Sequence, residues 1–146
     1  MSNVRRTNQV LYFARLSLDQ AAQTSTPQNK RMFEEQVLFH LYTCLMSFHR
    51  ELLNQYSLPG FEQLTELYCR EKLPSEIYEL SLLYKEPGSW LGIITGQYRR
   101  LLCQGLEGGL NTGLIVSQSD YASLFHNCLV ELESIIGRMR EHYQEN

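Results

Sequence analysis

Histidine side chains come first among the residues able to do chemistry, because imidazole serves both metal binding and acid–base work near neutral pH. His40 and His49 lie nine residues apart on one helical stretch. At about 100° per residue that is a rotation of roughly 180°, so the two face opposite sides and cannot share a metal. Glu35 and His40 are five apart, a poor match to one helical turn. Neither Glu-x-x-His nor His-Glu-x-x-His occurs, which removes the di-iron and zinc-protease arrangements. His40 falls in a polar stripe and reads as solvated. His49 flanks an apolar seam and reads as a histidine satisfied by a hydrogen bond. His126 and His142 stand isolated on the last helical stretch.

Other constellations fail on spacing or context. Arg138 and His142 sit one helical turn apart near the C-terminus, where bases suit the helix dipole. Helical RNases of the HEPN class carry an arginine and a histidine at a wider interval, and this pair is one residue short. The stretch from Gly105 to Gly113 has no lysine and follows a helix, so it is neither a phosphate-binding loop nor a dinucleotide fingerprint. Pro87-Gly88-Ser89-Trp90-Leu91 lacks the Gly-x-Ser-x-Gly elbow of serine hydrolases, and Ser89 is better placed as a helix cap. Arg5-Arg6 and Arg99-Arg100 have tyrosine neighbours, Tyr12 and Tyr98, that could stack on bases. Two separate basic pairs on an acidic chain instead suit solvated helix faces. Tyr42, Tyr56 and Tyr68 border apolar stripes, as tyrosines at core edges and interfaces do. No catalytic, cofactor-binding or metal-binding residue is assigned.

The elements that would position these residues are helices. Leu11, Ala14, Leu18 and Ala21 mark an amphipathic helix over 5–23. Thr26 as cap and Pro27 at the first helical position open a second helix over 27–57. Its polar residues, Gln36, His40, Thr43, Ser47, Arg50 and Asn54, form one narrow stripe expected to face solvent. The rest is apolar enough to touch neighbours on several sides, which makes it the central strut. Short helices are expected over 61–72 and 75–84, divided at Leu73-Pro74. Another runs over 90–104, where Gly92 and Gly96 suggest a close helix crossing. A flexible glycine-rich connection spans about 105–116. Ser117 and Asp120 resemble a capping box for a last helix over 118–143. There Tyr121, Phe125, Cys128, Leu132, Ile135, Met139 and His142 make a heptad-like seam. The expected fold is an all-α, single-domain bundle over 1–146, with four longer helices and two short ones closing one end.

Composition narrows the function classes. The chain has 146 residues, 43% of them hydrophobic and 20% charged, which supports a real core and excludes global disorder. A net charge of −3 weighs against a protein held to nucleic acid by phosphate contacts. No apolar run is long enough to span a bilayer. Arg15 and Asp19 interrupt the N-terminal hydrophobicity, so a signal peptide is not expected. Cys44, Cys69, Cys103 and Cys128 contain no Cys-x-x-Cys, and a reduced, cytoplasmic setting is expected over a disulfide framework.

The block Arg6-Thr7-Asn8-Gln9-Val10-Leu11-Tyr12-Phe13-Ala14-Arg15, with Leu38-Phe39-His40-Leu41-Tyr42 and residues 87–91, resembles a family of small uncharacterised bacterial helical proteins. The resemblance covers nearly the whole chain. It implies a cytoplasmic bacterial helical bundle and brings no activity, cofactor or site with it. The leading expectation is a non-enzymatic bundle acting through protein–protein contacts or self-association. A helical RNase or nucleotide-handling, toxin-like module resting on Arg138 and His142 is the alternative. A small-ligand pocket near Trp90, Tyr98 and the short helices is the weaker one.

Overall fold

In a computed structural model that describes residues 2–106 and 121–144, every regular element among the described residues is an α-helix. The longest, α2 (Pro27–Gln55), is the strut its apolar circumference predicts. It packs against α1 (Asn3–Gln23), α5 (Trp90–Cys103), α6 (Tyr121–Gln144) and the short α4 (Ser75–Tyr84). The remaining element, α3, is a single turn (Leu64–Tyr68). One core joins all of them. Leu38, Leu41, Leu45, Phe48 and Leu52 of α2 share it with Leu80 of α4, Leu91 and Ile94 of α5, and Phe125 and Leu132 of α6. At roughly 1.5–3 kcal/mol for each fully buried large aliphatic or aromatic side chain, this apolar burial is the main force holding the bundle together.

Local signals set several boundaries. Ser2 caps α1, its Oγ accepting from the Arg5 N–H at 3.2 Å, so the helix starts at Asn3 and not at residue 5. Pro27 begins α2, but the Thr26 hydroxyl makes no cap bond to the backbone. It accepts from the Asn29 side chain at 3.4 Å instead. The helix stops at Gln55, two residues early, because Ser57 turns left-handed (φ 52°) and Leu58 N–H closes back on Leu53 O at 3.0 Å. Ser89 caps α5 as expected, accepting from Gly92 N–H at 3.0 Å.

Expectations about packing also need correction. The helix placed over 61–72 shrinks to one turn because Phe61 is drawn into the core ahead of it. Arg70 behind it reaches back to the Pro59 and Gly60 carbonyls at 2.8 and 2.5 Å. The polar stripe of α2 is not wholly wet. Ser47 is buried, and its hydroxyl shares a 2.9 Å hydrogen bond with Thr7 of α1. Small side chains at this seam (Thr7, Ala14, Ser17, Cys44, Ser47) let the two helices pack as an antiparallel pair.

The seam of α6 keeps Tyr121, Phe125, Cys128, Leu132 and Met139 but continues through Ile136, with Tyr143 packed at its end and His142 exposed. The drift is that of an ordinary 3.6-residue helix against a strict heptad. Finally, Gly92 and Gly96 do not mark a helix crossing. A Cβ on Gly92 would lie 2.2 Å from Glu86 O in the turn just before α5, while one on Gly96 meets nothing within 4 Å. Of the expected glycine-rich connection only Gly105 and Leu106 are described. Residues 107–120, with Ser117, Asp120 and the expected start of the last helix, lie outside the described residues.

Candidate functional site

The structure scatters the histidines. His49 is fully buried, with Nδ1 2.7 Å from Leu45 O and Nε2 2.6 Å from the Tyr68 hydroxyl. A carbonyl only accepts, so Nδ1 carries the proton and Tyr68 donates to Nε2. Burial holds His49 down to about 4, which keeps the ring neutral. His40 lies half-buried between Phe13 and Phe39, with ring centroids 5.4 and 5.5 Å away. It is not the solvated residue expected of the stripe, and burial together with Arg6 lowers its pKa. His126 and His142 are exposed. Among the described residues, no group of three His, Cys, Asp or Glu side chains is placed to hold a metal ion, and no helix is long and apolar enough to cross a membrane.

Arg138 and His142 do come together. With Ser75, Glu76, Glu79 and Glu141 they line a cavity of about 340 Å³ between α4 and α6. Among the described residues, three carboxylates, Glu76, Glu79 and Glu141, line it with the one guanidinium of Arg138. Arg138 is already ion-paired with Glu79. Glu76, almost fully buried, accepts from the Tyr56 hydroxyl at 2.7 and 2.8 Å and from Ser75 at 2.8 Å. Burial pushes Glu76 up, but these donors and nearby His142 bring its pKa below the ordinary value. A phosphate entering here would meet carboxylates first.

Buried carboxylates were not visible from sequence. Glu51, 1% exposed, takes Arg140 Nε at 2.7 Å and Nη2 at 3.0 Å, and also the Tyr143 hydroxyl. Arg140 Nη1 continues to Asn8 at 2.9 Å, so one network ties α1, α2 and α6. Glu34, also buried, pairs with Arg31 at 3.4 Å and takes the Ala122 N–H at the start of α6. Its position in the apolar register of α2 was the available clue, as it was for Glu51.

Large apolar side chains stand open on α1 and α2, and Met32 and Phe39 line a cavity of about 550 Å³ that reaches Gln104, Gly105 and Leu106. Tyr12 (55% exposed), Leu16 (42%), Phe39 (48%) and Met32 (48%) all stand open. They are not scattered. Tyr12 and Leu16 share one side of α1, one turn apart, and Met32 and Phe39 share one side of α2, two turns apart. A chain of ring contacts, Tyr12–Phe13–His40–Phe39, joins the two helices. Gln9, Gln36 and Thr43 flank these side chains, together with the charged Arg15, Arg31 and Glu35.

Charge of both signs borders this strip. Because Thr7 meets Ser47 and Phe13 meets His40, the helices run antiparallel. Arg5, Arg6 and Arg50 therefore gather beyond Tyr12, whereas Asp19 and Glu35 lie level with the stretch between Met32 and Phe39, beside Arg31 and the half-buried Lys30. The distance from residue 5 to residue 19 along the helix is about 21 Å.

All four cysteines are unpaired. Cys44 and Cys128 are buried as small apolar groups, and burial pushes the Cys128 thiol up to about 12. The basic pairs sit on separate helices. Arg6 donates to Gln9 at 2.6 Å, and Arg99 lines a cavity of about 340 Å³ whose walls include Tyr42, Tyr84 and Tyr98.

A protein-family profile described as "Family of unknown function (DUF6586)" matches residues 1–146. No curated protein and no solved structure matches the chain.

Proposed function

The chain belongs to this family of unknown function, so its role has to be read from its own surface, and we propose that it is a non-enzymatic contact protein whose α1–α2 face docks a second copy of itself. The observation that carries the reading is the run of ring contacts Tyr12–Phe13–His40–Phe39, with Arg5 and Arg6 beyond one side of it and Asp19 and Glu35 beyond the other. Aromatic and methionine side chains are what interface cores concentrate, with charge kept to the rim. A two-fold axis through the middle of the strip lays the Arg5/Arg6 end of each copy on the Asp19/Glu35 end of the other. The same attraction is then made twice, as an isologous contact requires. Charge arranged in this way fixes register and rejects the parallel arrangement, in which like ends would meet.

The polar clusters of the molecule support this reading. The Glu51 and Glu76 carboxylates are occupied by protein donors, and Arg138 is neutralised by Glu79. The four unpaired thiols support a reducing, cytoplasmic setting. Sedimentation equilibrium tests the proposal, with Phe39→Glu as the variant. That side chain is half exposed, so the substitution leaves the fold intact by circular dichroism. The wild type is expected to be a dimer and the variant a monomer. A wild type that stays monomeric to roughly 0.1 mM would remove self-association as the function.

A further inference from the structure

A second feature lies apart from the aromatic strip, between α2, α3, α4 and α5. Here Tyr42, Tyr84 and Tyr98 wall a cavity of about 340 Å³ with Leu64 at its base and Arg99 and Leu102 at its rim. That volume is at the small end of ligand pockets, which run from roughly 300 to 1,000 Å³. The Tyr42 and Tyr98 rings lie parallel, 3° apart in plane with centroids at 3.9 Å, stacked face to face so that each covers one face of the other. Tyr84 is held from behind. Its ring packs at 5.2 Å on Tyr68, which is fixed by its hydrogen bond to the buried His49. The walls are therefore set in place before anything enters.

The polar groups converge without satisfying one another. None of the Tyr42, Tyr84 and Tyr98 hydroxyls is hydrogen-bonded to another described residue, and Tyr84 and Tyr98 are close enough to act on Tyr42. Burial and the neighbouring phenols raise Tyr42, so it stands as a protonated donor at neutral pH. Among the described residues, Arg99 is the one charged side chain lining the cavity and no carboxylate lines it, in a chain whose net charge is −3. Flat aromatic walls, phenolic donors and a lone guanidinium select for a planar ring bearing a negative group.

From this geometry we infer that the cavity is a binding site for a small aromatic anion, a single planar ring carrying a carboxylate, seated against the Tyr42–Tyr98 wall with its charge toward Arg99. The inference goes beyond self-association, and its test does not depend on it. Benzoate is the probe, with benzyl alcohol as the neutral ring and cyclohexanecarboxylate as the non-planar anion, each titrated into the full chain while tyrosine ring resonances are followed by NMR. Benzoate is expected to move the Tyr42 and Tyr98 signals saturably, with both controls at least about tenfold weaker.

Arg99→Gln and Leu102→Glu both change exposed residues and leave the core alone. The first should weaken benzoate about tenfold by removing its charge partner, and the second should abolish binding by placing an acid at the rim. Three results would each overturn the site. They are no movement of those signals to roughly 10 mM benzoate, cyclohexanecarboxylate binding as tightly as benzoate, and Arg99→Gln binding unchanged.

Discussion

Replacing Glu51 with alanine should be among the most damaging single changes in the molecule, although Glu51 touches no predicted site. Its carboxylate is 1% exposed and accepts from Arg140 twice, at 2.7 and 3.0 Å, and from Tyr143. Arg140 keeps only 18% of its side chain in water. Removing the acid leaves that guanidinium largely buried with Asn8 as its remaining named partner, and leaves the Tyr143 hydroxyl without its acceptor. Breaking a buried pair in this way costs about 3–5 kcal/mol. For a chain of this length that lowers the melting temperature by roughly 10 °C or more.

Arg140→Met should cost a similar amount, because it strands the carboxylate. The double variant Glu51→Leu with Arg140→Met removes both charges, so its cost should fall short of the sum of the two single changes by about 2 kcal/mol or more. Urea unfolding of all four proteins measures each term. Single changes costing under about 1 kcal/mol each, and adding without coupling, would show that the network is solvated and does not dock α6.

Three further outcomes follow from the same coordinates. Gly92→Ala should destabilise strongly, since its Cβ would sit 2.2 Å from a backbone oxygen, whereas Gly96→Ala should stabilise by about 0.5–1 kcal/mol. Thermal melts that rank the two the other way would contradict the assignment of Gly92 to the turn. Ser89→Ala should cost about 1 kcal/mol by removing the α5 cap, read in the same melts. Acid should weaken the fold through His49. Its folded pKa of about 4 lies below the unfolded value of about 6.5, so the unfolded chain takes the proton first. Stability is then complete above about pH 6.5 and falls by about 3 kcal/mol toward pH 4. Glu76, lowered in the fold, adds to the loss as pH falls further, while Glu34, raised by burial, works against it. His49→Gln should flatten the pH dependence of the urea midpoint, and an unchanged slope would exonerate His49.

The parts of the fold written in local pattern were readable directly. The apolar circumference of α2 marks a strut, and the Pro74 and Ser89 signals fix the starts of α4 and α5 to within a residue. The misreadings share a cause, a partner far away in sequence. Ser47 looks like a solvent residue until Thr7, forty positions earlier, is brought against it. Glu51 looks like a polar interruption until Arg140 arrives from α6. Gly92 reads as a crossing point because a helix pattern says nothing about the turn that folds back on it. For the candidate surface, sequence supplied the aromatic types but not their contiguity. Phe39 belongs by type to the apolar part of α2 and His40 to its polar stripe, yet Phe39 stands 48% exposed and His40 is half-buried against Phe13.

The pairing of opposite charges across the α1–α2 face can be tested by complementation. One variant reverses the basic end (Arg5→Glu with Arg6→Glu), and the other reverses the acidic end (Asp19→Lys with Glu35→Lys). In an antiparallel dimer each variant alone sets like charge against like at both contacts, while a mixture of the two restores attraction at both. Light scattering should therefore find each variant monomeric and their equimolar mixture dimeric, with the gain fading as salt is added. Two variants that dimerise alone as well as the wild type does, or a mixture that stays monomeric, would contradict the account.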